Sequence, residues 1–125
     1  MSEPIPRIVI AAYRPKPGKA ALLLAEVRDH HALLRSEGLA TDRAPVIMHG
    51  RDGTIVEVFE WASPAAIEEA HANPRVKAMW DRFFAVSEAV PIAQVAEAAS
   101  MFAEFTPVEF DHTRQPDVAP SQRAE

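Results

Sequence analysis

The segment that most restricts the possible folds is residues 54–61, which read Thr-Ile-Val-Glu-Val-Phe-Glu-Trp. Its pattern has the period of a β-strand, in which successive side chains point to opposite faces of the sheet. One face carries Ile55, Glu57, Phe59 and Trp61, and the other carries Val56, Val58 and Glu60. Because both faces are rich in large apolar side chains, this strand needs cover on both sides of its sheet.

The residues before this strand predict a strand, a helix and a hairpin. Residues 7–13 are β-branched and apolar and predict a buried strand. Residues 19–37 predict a helix, because apolar side chains recur at intervals of three and four and Gly38 follows where a helix-ending residue with positive φ is expected. Residues 44–49 are expected to pair with residues 54–61 through a tight turn containing Asp-Gly.

The residues after this strand predict a broken helix and one more strand. Residues 64–90 predict a helical region that is kinked at Asn73-Pro74. Residues 91–100 are irregular, and residues 101–108 alternate as a last strand. The resulting order, β-α-β-β-α-β, predicts an α+β, ferredoxin-like sandwich with a four-stranded antiparallel sheet and both helices on one face.

The length of 125 residues fits one domain, and 48% of the residues are hydrophobic, enough for one core. We expect residues 1–110 to form a single ferredoxin-like domain. Residues 111–125 hold almost no large apolar side chain, so we expect a flexible C-terminal tail.

The composition restricts the partners and the compartment. A net charge of -5 argues against nucleic acid, since an acidic surface repels phosphate. The N-terminal segment lacks the basic and apolar regions of a signal peptide, and no apolar stretch approaches the roughly 20 residues of a membrane span. We therefore expect a cytoplasmic protein without membrane contact.

The sequence predicts no metal and no cofactor. Without cysteine there are no thiolate ligands, iron–sulfur clusters or disulfides. His30 and His31 are adjacent on the predicted helix and cannot face the same ion, and no carboxylate cluster accompanies them. There is no Gly-rich phosphate loop and no Gly-x-Ser-x-Gly motif.

The two apolar faces of the sheet predict a homodimer. Two helices cover one side of the sheet, and the other side would expose a larger apolar patch than monomers normally carry. Packing of that sheet face against the same face of a second copy would remove the patch from water.

His31, beside the apolar stripe of its helix, is expected at the surface or at an interface.

Several stretches together resemble one family. They are strand 7–13 followed by Pro-Gly, the run Glu57-Val-Phe-Glu-Trp61, and the run His71-Ala-Asn-Pro-Arg-Val76 before Met79-Trp80. The chain resembles the dimeric α/β-barrel proteins, in particular the antibiotic-biosynthesis-monooxygenase type, over residues 5–109.

The resemblance implies a homodimer with facing sheets and a pocket between helices and sheet in each subunit. The group includes cofactor-free monooxygenases of polycyclic aromatic substrates, haem-degrading enzymes and proteins of no known activity. The haem-degrading branch has an Asn on the first strand, which residues 7–13 lack, so no haem is expected.

His30, Glu57 and His71 are the candidate catalytic residues. His30 lies on the apolar stripe of its helix, either as a core histidine with internal hydrogen bonds or as an acid–base group in a pocket. Glu57 would be a buried carboxylate that pairs with His30 or an arginine if its face lies under the helices; in the opposite register Glu60 would take that place. His71 would bridge the broken helical turn or line a pocket mouth.

An aromatic set could bind a small hydrophobic or aromatic ligand, although at helical spacing such side chains also form ordinary cores. Its candidates are Tyr13, Phe59, Trp61, Trp80 and Phe84. Two functions remain open on these residues. One is a cofactor-independent monooxygenase of a small aromatic metabolite, and the other is a non-catalytic dimer that binds a small ligand or acts as an accessory protein.

Overall fold

The computed structural model describes residues 5–109 of the chain, and the predicted tail, residues 111–125, lies outside this range. The described part contains strands, helices and two short 3₁₀ turns. In chain order they are β1 (Arg7–Pro15), α1 (Ala20–Ser36), β2 (Val46–His49), β3 (Ile55–Trp61), α2 (Pro64–Ala72), α3 (Pro74–Val86), β4 (Ser87–Val90), the 3₁₀ turns Ile92–Gln94 and Ala96–Ala99, and β5 (Thr106–Pro107).

The described residues form an α+β fold with one antiparallel sheet in the order β4-β1-β3-β2-β5. The expected sheet had four strands, and this one has five. The predicted last strand, 101–108, is wrong over most of its length, because only Thr106 and Pro107 pair with β2. The predicted helix that ran to residue 90 is also too long, since its end is the edge strand β4.

The change from α3 to β4 has a local cause. Ser87 has an extended backbone, and its hydroxyl donates a 2.8 Å hydrogen bond to the carbonyl of Phe83. Pro91 follows Val90, and a residue before proline is pushed out of the α region into extended conformations. The backbone therefore leaves the helix at Ser87 and pairs with β1 instead.

Capping groups define the helices where the sequence predicted boundaries. Gly38 has φ +77 just after α1, as expected for a left-handed end residue. The Ser63 hydroxyl accepts a hydrogen bond from the amide of Ala66 at the start of α2. Asn73 separates α2 from α3, and its side chain accepts hydrogen bonds from the first amides of α3, which confirms the predicted break at this point.

The main core lies between the three helices and one face of the sheet. Fully or nearly fully buried side chains from α1, α3 and β3 meet there, among them Leu23, Leu34, Phe59, Met79 and Phe83. Each side chain of this size contributes about 1.5–3 kcal/mol when it leaves water. This face of β3 is the one that carries Glu57, so the alternative register, with Glu60 turned toward the helices, is wrong.

The opposite face of the sheet is partly covered by the chain itself, which the sequence did not predict. Val95 packs with Ala12 and Val56, and Phe105 packs against the same cluster. The Glu97 carboxylate fastens this cover by accepting a 2.8 Å hydrogen bond from the amide of Arg51. The cover reaches one half of the face only.

In residues 5–109, the helices are all too short or too polar to cross a membrane.

His31 is buried, and its expected position at the surface or an interface is wrong. Its Nε2–H donates a 2.8 Å hydrogen bond to the carbonyl of Thr41, while Nδ1 is buried without a partner among the described residues. Burial lowers the pKa of His31 below its ordinary value, and the hydrogen bond to Thr41 only partly opposes this effect. The imidazole is therefore neutral in the folded protein at neutral pH.

We predict that the free energy of unfolding falls as the pH drops below about 6.5, because unfolded His31 then binds a proton that folded His31 resists. Above that pH the contribution is constant. Urea midpoints of the wild type and of His31→Gln at pH 7.5 and 5.0 check this, and the variant should lose less stability between the two pH values. His49→Gln, a change at the hairpin turn, should keep the wild-type difference; an equal loss in all three proteins would contradict the assignment.

Candidate functional site

A cavity of about 490 Å³ lies between the sheet and helix α3. Its wall is almost entirely apolar and aromatic. The lining residues are Val9, Ala11, Tyr13, His30, Phe59, Trp61, His71, Trp80, Phe83, Phe84 and Ala89. A volume of this size lies within the range of small-molecule sites, which are about 300–1,000 Å³.

The periodicities of the elements explain this lining. On β1, alternate residues face the helices, which brings Val9, Ala11 and Tyr13 to one wall. Phe83 and Phe84 lie three and four residues after Trp80 on α3, and the three side chains form the facing wall. Phe83 is buried beneath the cavity, whereas Phe84 is more than half exposed at its edge.

The polar centre of the site is a hydrogen bond between His30 and Glu57. His30 Nδ1 and Glu57 Oε1 are 2.8 Å apart, and the two side chains are 3% and 0% exposed. An ionised carboxylate only accepts, so Nδ1 carries the proton in this bond. The imidazole lies edge-on to Phe59 and Phe83, at ring-centroid distances of 5.2 and 5.0 Å, which fix its orientation.

Tyr13 belongs to the same polar group. Its hydroxyl donates a long hydrogen bond of 3.4 Å to Glu57 Oε1. Burial raises the pKa of the Tyr13 hydroxyl far above its ordinary value, and the neighbouring Glu57 carboxylate raises it further. Tyr13 is therefore a neutral donor throughout the physiological range, and Glu57 Oε1 receives two donors.

Two polar atoms in this group are unsatisfied. His30 Nε2 and Glu57 Oε2 are buried and have no hydrogen-bond partner among the described residues. A buried polar atom without a partner is unfavourable by about 1–3 kcal/mol. Since Nδ1 is engaged by Glu57, Nε2 is the His30 nitrogen left without a hydrogen-bond partner among the described residues, and it is buried in the single chain. With Nδ1 protonated, Nε2 carries a lone pair and can accept a proton.

His71 lies at the exposed side of the cavity. Its Nδ1–H donates a 2.8 Å hydrogen bond to the carbonyl of Ile67, one turn earlier in α2. Its ring lies at a steep angle to Trp80, with centroids 5.1 Å apart. Both functions considered for His71 thus have a structural counterpart, since it holds the end of α2 and lines the cavity mouth.

The structure brings the residues singled out in the sequence into one place. Seven of them line the cavity: Tyr13, His30, Phe59, Trp61, His71, Trp80 and Phe84. Glu57 stands behind the wall and reaches the cavity through His30. The position of Glu57 under the helices, paired with His30, was predicted for the register that the structure has.

Four lining residues were not among the candidates named from the sequence: Val9, Ala11, Phe83 and Ala89. Val9 and Ala11 alternate with Tyr13, so the period of two could have identified them. Ala89 lies on β4, a segment that the sequence analysis placed in a helix. Ala89 reaches the wall because β4 pairs with β1, and the sequence analysis did not predict this strand.

Residues 5–109 contain no group of three His, Cys, Asp or Glu side chains arranged to hold a metal ion. No family model, no curated protein and no solved structure matches this chain.

We predict that two substitutions of Glu57, the partner of His30, lower the free energy of unfolding by different amounts. Glu57→Ala leaves His30 Nδ1 buried without an acceptor, so the free energy of unfolding should fall by about 3 kcal/mol. Glu57→Gln keeps an acceptor and a similar volume, and should lose about 1 kcal/mol. Urea denaturation at pH 7.5 measures both.

Glu60→Ala is the matched control for this ranking. Glu60 lies on the same strand but on the opposite face, where it accepts from Thr41 and pairs with the exposed Arg43. Its removal should lower the free energy of unfolding by about 1 kcal/mol or less. If Glu57→Ala were no worse than Glu60→Ala, the central place given to the buried pair would be wrong.

Proposed function

We propose that this protein is a homodimeric, cofactor-independent monooxygenase of a small aromatic metabolite, related to the antibiotic-biosynthesis-monooxygenase type of dimeric α/β barrel. The observation that carries the proposal is the buried His30–Glu57 pair at the wall of an apolar cavity, with His30 Nε2 unengaged. A base held by a carboxylate at the wall of an apolar cavity is an arrangement suited to proton abstraction.

The topology supports the ferredoxin-like part of the proposal. If α2 and α3 are counted as one broken helix, the order from β1 to β4 is β-α-β-β-α-β. β1 lies between β3 and β4, and β2 lies on the other side of β3, an arrangement that the ferredoxin-like sheet shares. The two-residue strand β5 is then an addition at the β2 edge.

The character of the wall supports an aromatic ligand with one acidic group. The aromatic rings of Phe59, Trp61 and Trp80 offer flat apolar surfaces. His30 and Tyr13 contribute the polar groups, and the Tyr13 hydroxyl is already bonded to Glu57. A neutral ligand with an acidic hydrogen can donate a hydrogen bond to His30 Nε2, the nitrogen of that imidazole without a partner among the described residues. Binding such a ligand brings no additional charge into the cavity.

In the proposed reaction His30 removes a proton from an acidic C–H of the substrate. The resulting imidazolium lies 2.8 Å from Glu57, whose negative charge stabilises it. The substrate carbanion supplies electrons to dioxygen, the co-reactant, and a C–O bond forms. His30 returns its proton to give a hydroperoxide.

Loss of water from the hydroperoxide completes the balance. The second C–H proton leaves as the O–O bond breaks, so a methylene becomes a carbonyl. One oxygen atom ends in the product and the other in water, and the carbon loses the electrons that dioxygen gains. The protein supplies the base and the orientation of the substrate in an apolar cavity.

We predict that His30→Ala lowers kcat by about 10²–10⁴-fold, the usual contribution of a general base, and that this loss exceeds the weakening of ligand binding caused by removal of the imidazole. Anthrone, a tricyclic ketone with an acidic methylene, is a suitable probe of turnover with an oxygen electrode, and fluorescence titration with 2-naphthol measures binding. His49→Ala, a histidine outside the cavity lining, serves as the control and should keep wild-type turnover.

Retained turnover in His30→Ala would overturn its catalytic role. Tight 2-naphthol binding without oxygen consumption for any of a panel of acidic aromatic compounds would favour the alternative function, a non-catalytic dimer that binds a small ligand. Trp80→Ala should weaken 2-naphthol binding under either function, because Trp80 forms part of the wall.

The dimer is proposed to form through the sheet face that points away from the helices. Val58 lies at the centre of this face, paired with Ile10 on β1 and with Val46 on β2. Ile10 and Val46 are each more than half exposed in the single chain. Three apolar side chains in one row across three strands support a buried partner surface.

We predict that Val58→Lys converts the dimer into a monomer, because the interface would have to bury an unpaired ammonium group. Sedimentation velocity at several protein concentrations measures the association state. Lys77→Val, at an exposed position on α3, is a surface control and should remain dimeric. A Val58→Lys protein that stayed dimeric would contradict the choice of this face.

A further inference from the structure

The sheet face opposite the helices has a covered half and an open half. Ala12, Val56 and Met48 form one row across the strands and lie under Val95 and Phe105. The next row, formed by Ile10, Val58 and Val46, and the row of Ile8 beyond it are not covered by the segment that carries Val95 and Phe105. Their exposed apolar side chains are Ile8 at 58%, Ile10 at 52% and Val46 at 52%.

The segment that covers the other half displays two large apolar side chains in water. Met101 is 91% exposed and Phe102 is 80% exposed, the highest values among the large hydrophobic residues of the described part. The segment that carries them packs on the same side of the sheet, through Ala98 before them and Phe105 after them. We call Met101 and Phe102 the apolar tip.

The apolar tip is held at both ends, and its two side chains do not pack on their own sheet. Before it, Glu97 accepts the amide hydrogen bond of Arg51, and its carboxylate fills the space beside Gly50, where an added Cβ would lie 2.8 Å from Glu97 Oε1. After it, Thr106 pairs with His49 as part of the sheet. The tip therefore projects from an anchored segment.

We propose that the apolar tip of each subunit packs on the open half-face of a second copy of this chain, against Ile8, Ile10 and Val46. The inference rests on the sheet-face dimer proposed above and names the contact that would hold it. One chain carries both an exposed apolar projection and an exposed apolar surface on the same side, so a two-fold axis satisfies both pairs at once.

The area available favours a second copy as the occupant. At on the order of 200 Å² for a fully exposed large side chain, the five exposed residues amount to roughly 650–700 Å² per subunit. A standard dimer interface buries about 800 Å² per partner. Val58 and the edges of the covering segment lie beside these residues and can supply the remainder.

The test is the double variant Met101→Asp/Phe102→Asp in the full chain. Both side chains are exposed, so the fold and 2-naphthol binding should persist, while the dimer dissociation constant should rise at least tenfold in sedimentation velocity. Leu22→Asp, at an apolar position on α1 that is 55% exposed, is the control and should leave the dissociation constant unchanged.

Each outcome separates this contact from the dimer proposal itself. A double variant that dimerises as well as wild type, while Val58→Lys is monomeric, would overturn the role of the tip and leave the sheet-face dimer standing. A monomeric wild type would overturn both. The double variant could remain dimeric while a chain truncated after residue 109 becomes monomeric. That pair of results would assign the open half-face to the C-terminal residues instead.

A disulfide test places the contact directly, since the chain has no cysteine of its own. Ile10→Cys and Phe102→Cys are prepared separately, mixed and oxidised, and the cross-linked peptides are identified by mass spectrometry. A 10–102 disulfide between subunits is the expected product. A mixture of Leu22→Cys and Phe102→Cys should give no 22–102 product, and equal yields from both mixtures would overturn the proposal.

Discussion

The burial of Glu57 on the central strand is the constraint around which the site is built. A carboxylate with no exposure to water needs donors, because an uncompensated charge in a protein interior is unfavourable by several kcal/mol. His30 and Tyr13 supply two donors to one oxygen. This requirement fixes the rotation of α1 against β3 and the direction of the imidazole, and it leaves Nε2 without a hydrogen-bond partner among the described residues.

The two faces of β3 have different roles because the rest of the chain covers them differently. The helices cover the face of Glu57 and Phe59 but leave space for an aromatic-walled cavity. On the other face the segment after β4 covers Val56 but stops before Val58. A strand that is apolar on both sides thus serves a ligand cavity on one side and, in the proposed dimer, an association surface on the other.

The sequence predicted the parts of this fold that depend on periodicity. The alternation of residues 54–61 and the stripe of α1 left two registers open, and the contact between His30 and Glu57 belongs to the one that the structure has. Prediction failed where tertiary packing overrides a local pattern. Residues 87–90 continue an amphipathic helix in sequence, but β1 offers them an edge and Pro91 disfavours the helix. The cover formed by residues 92–105 is held by long-range contacts, among them the hydrogen bonds of Glu97 with Arg51 and of Arg14 with Gln94, which no periodicity reveals.

The cavity and the proposed dimer surface lie on opposite faces of the sheet. The proposed base, His30, and the carboxylate that holds it, Glu57, both belong to the same chain. The connection between the two faces is mechanical: Val9 and Ala11 line the cavity while Ile8 and Ile10, between and beside them on β1, face the open half. Covering the outer face would restrict the motion of β1 relative to its neighbour β3. The position of the Tyr13 hydroxyl next to Glu57 would then be restricted as well. Dimerisation is then expected to act on the precision of the site and on stability, while the identity of the base is set within each subunit.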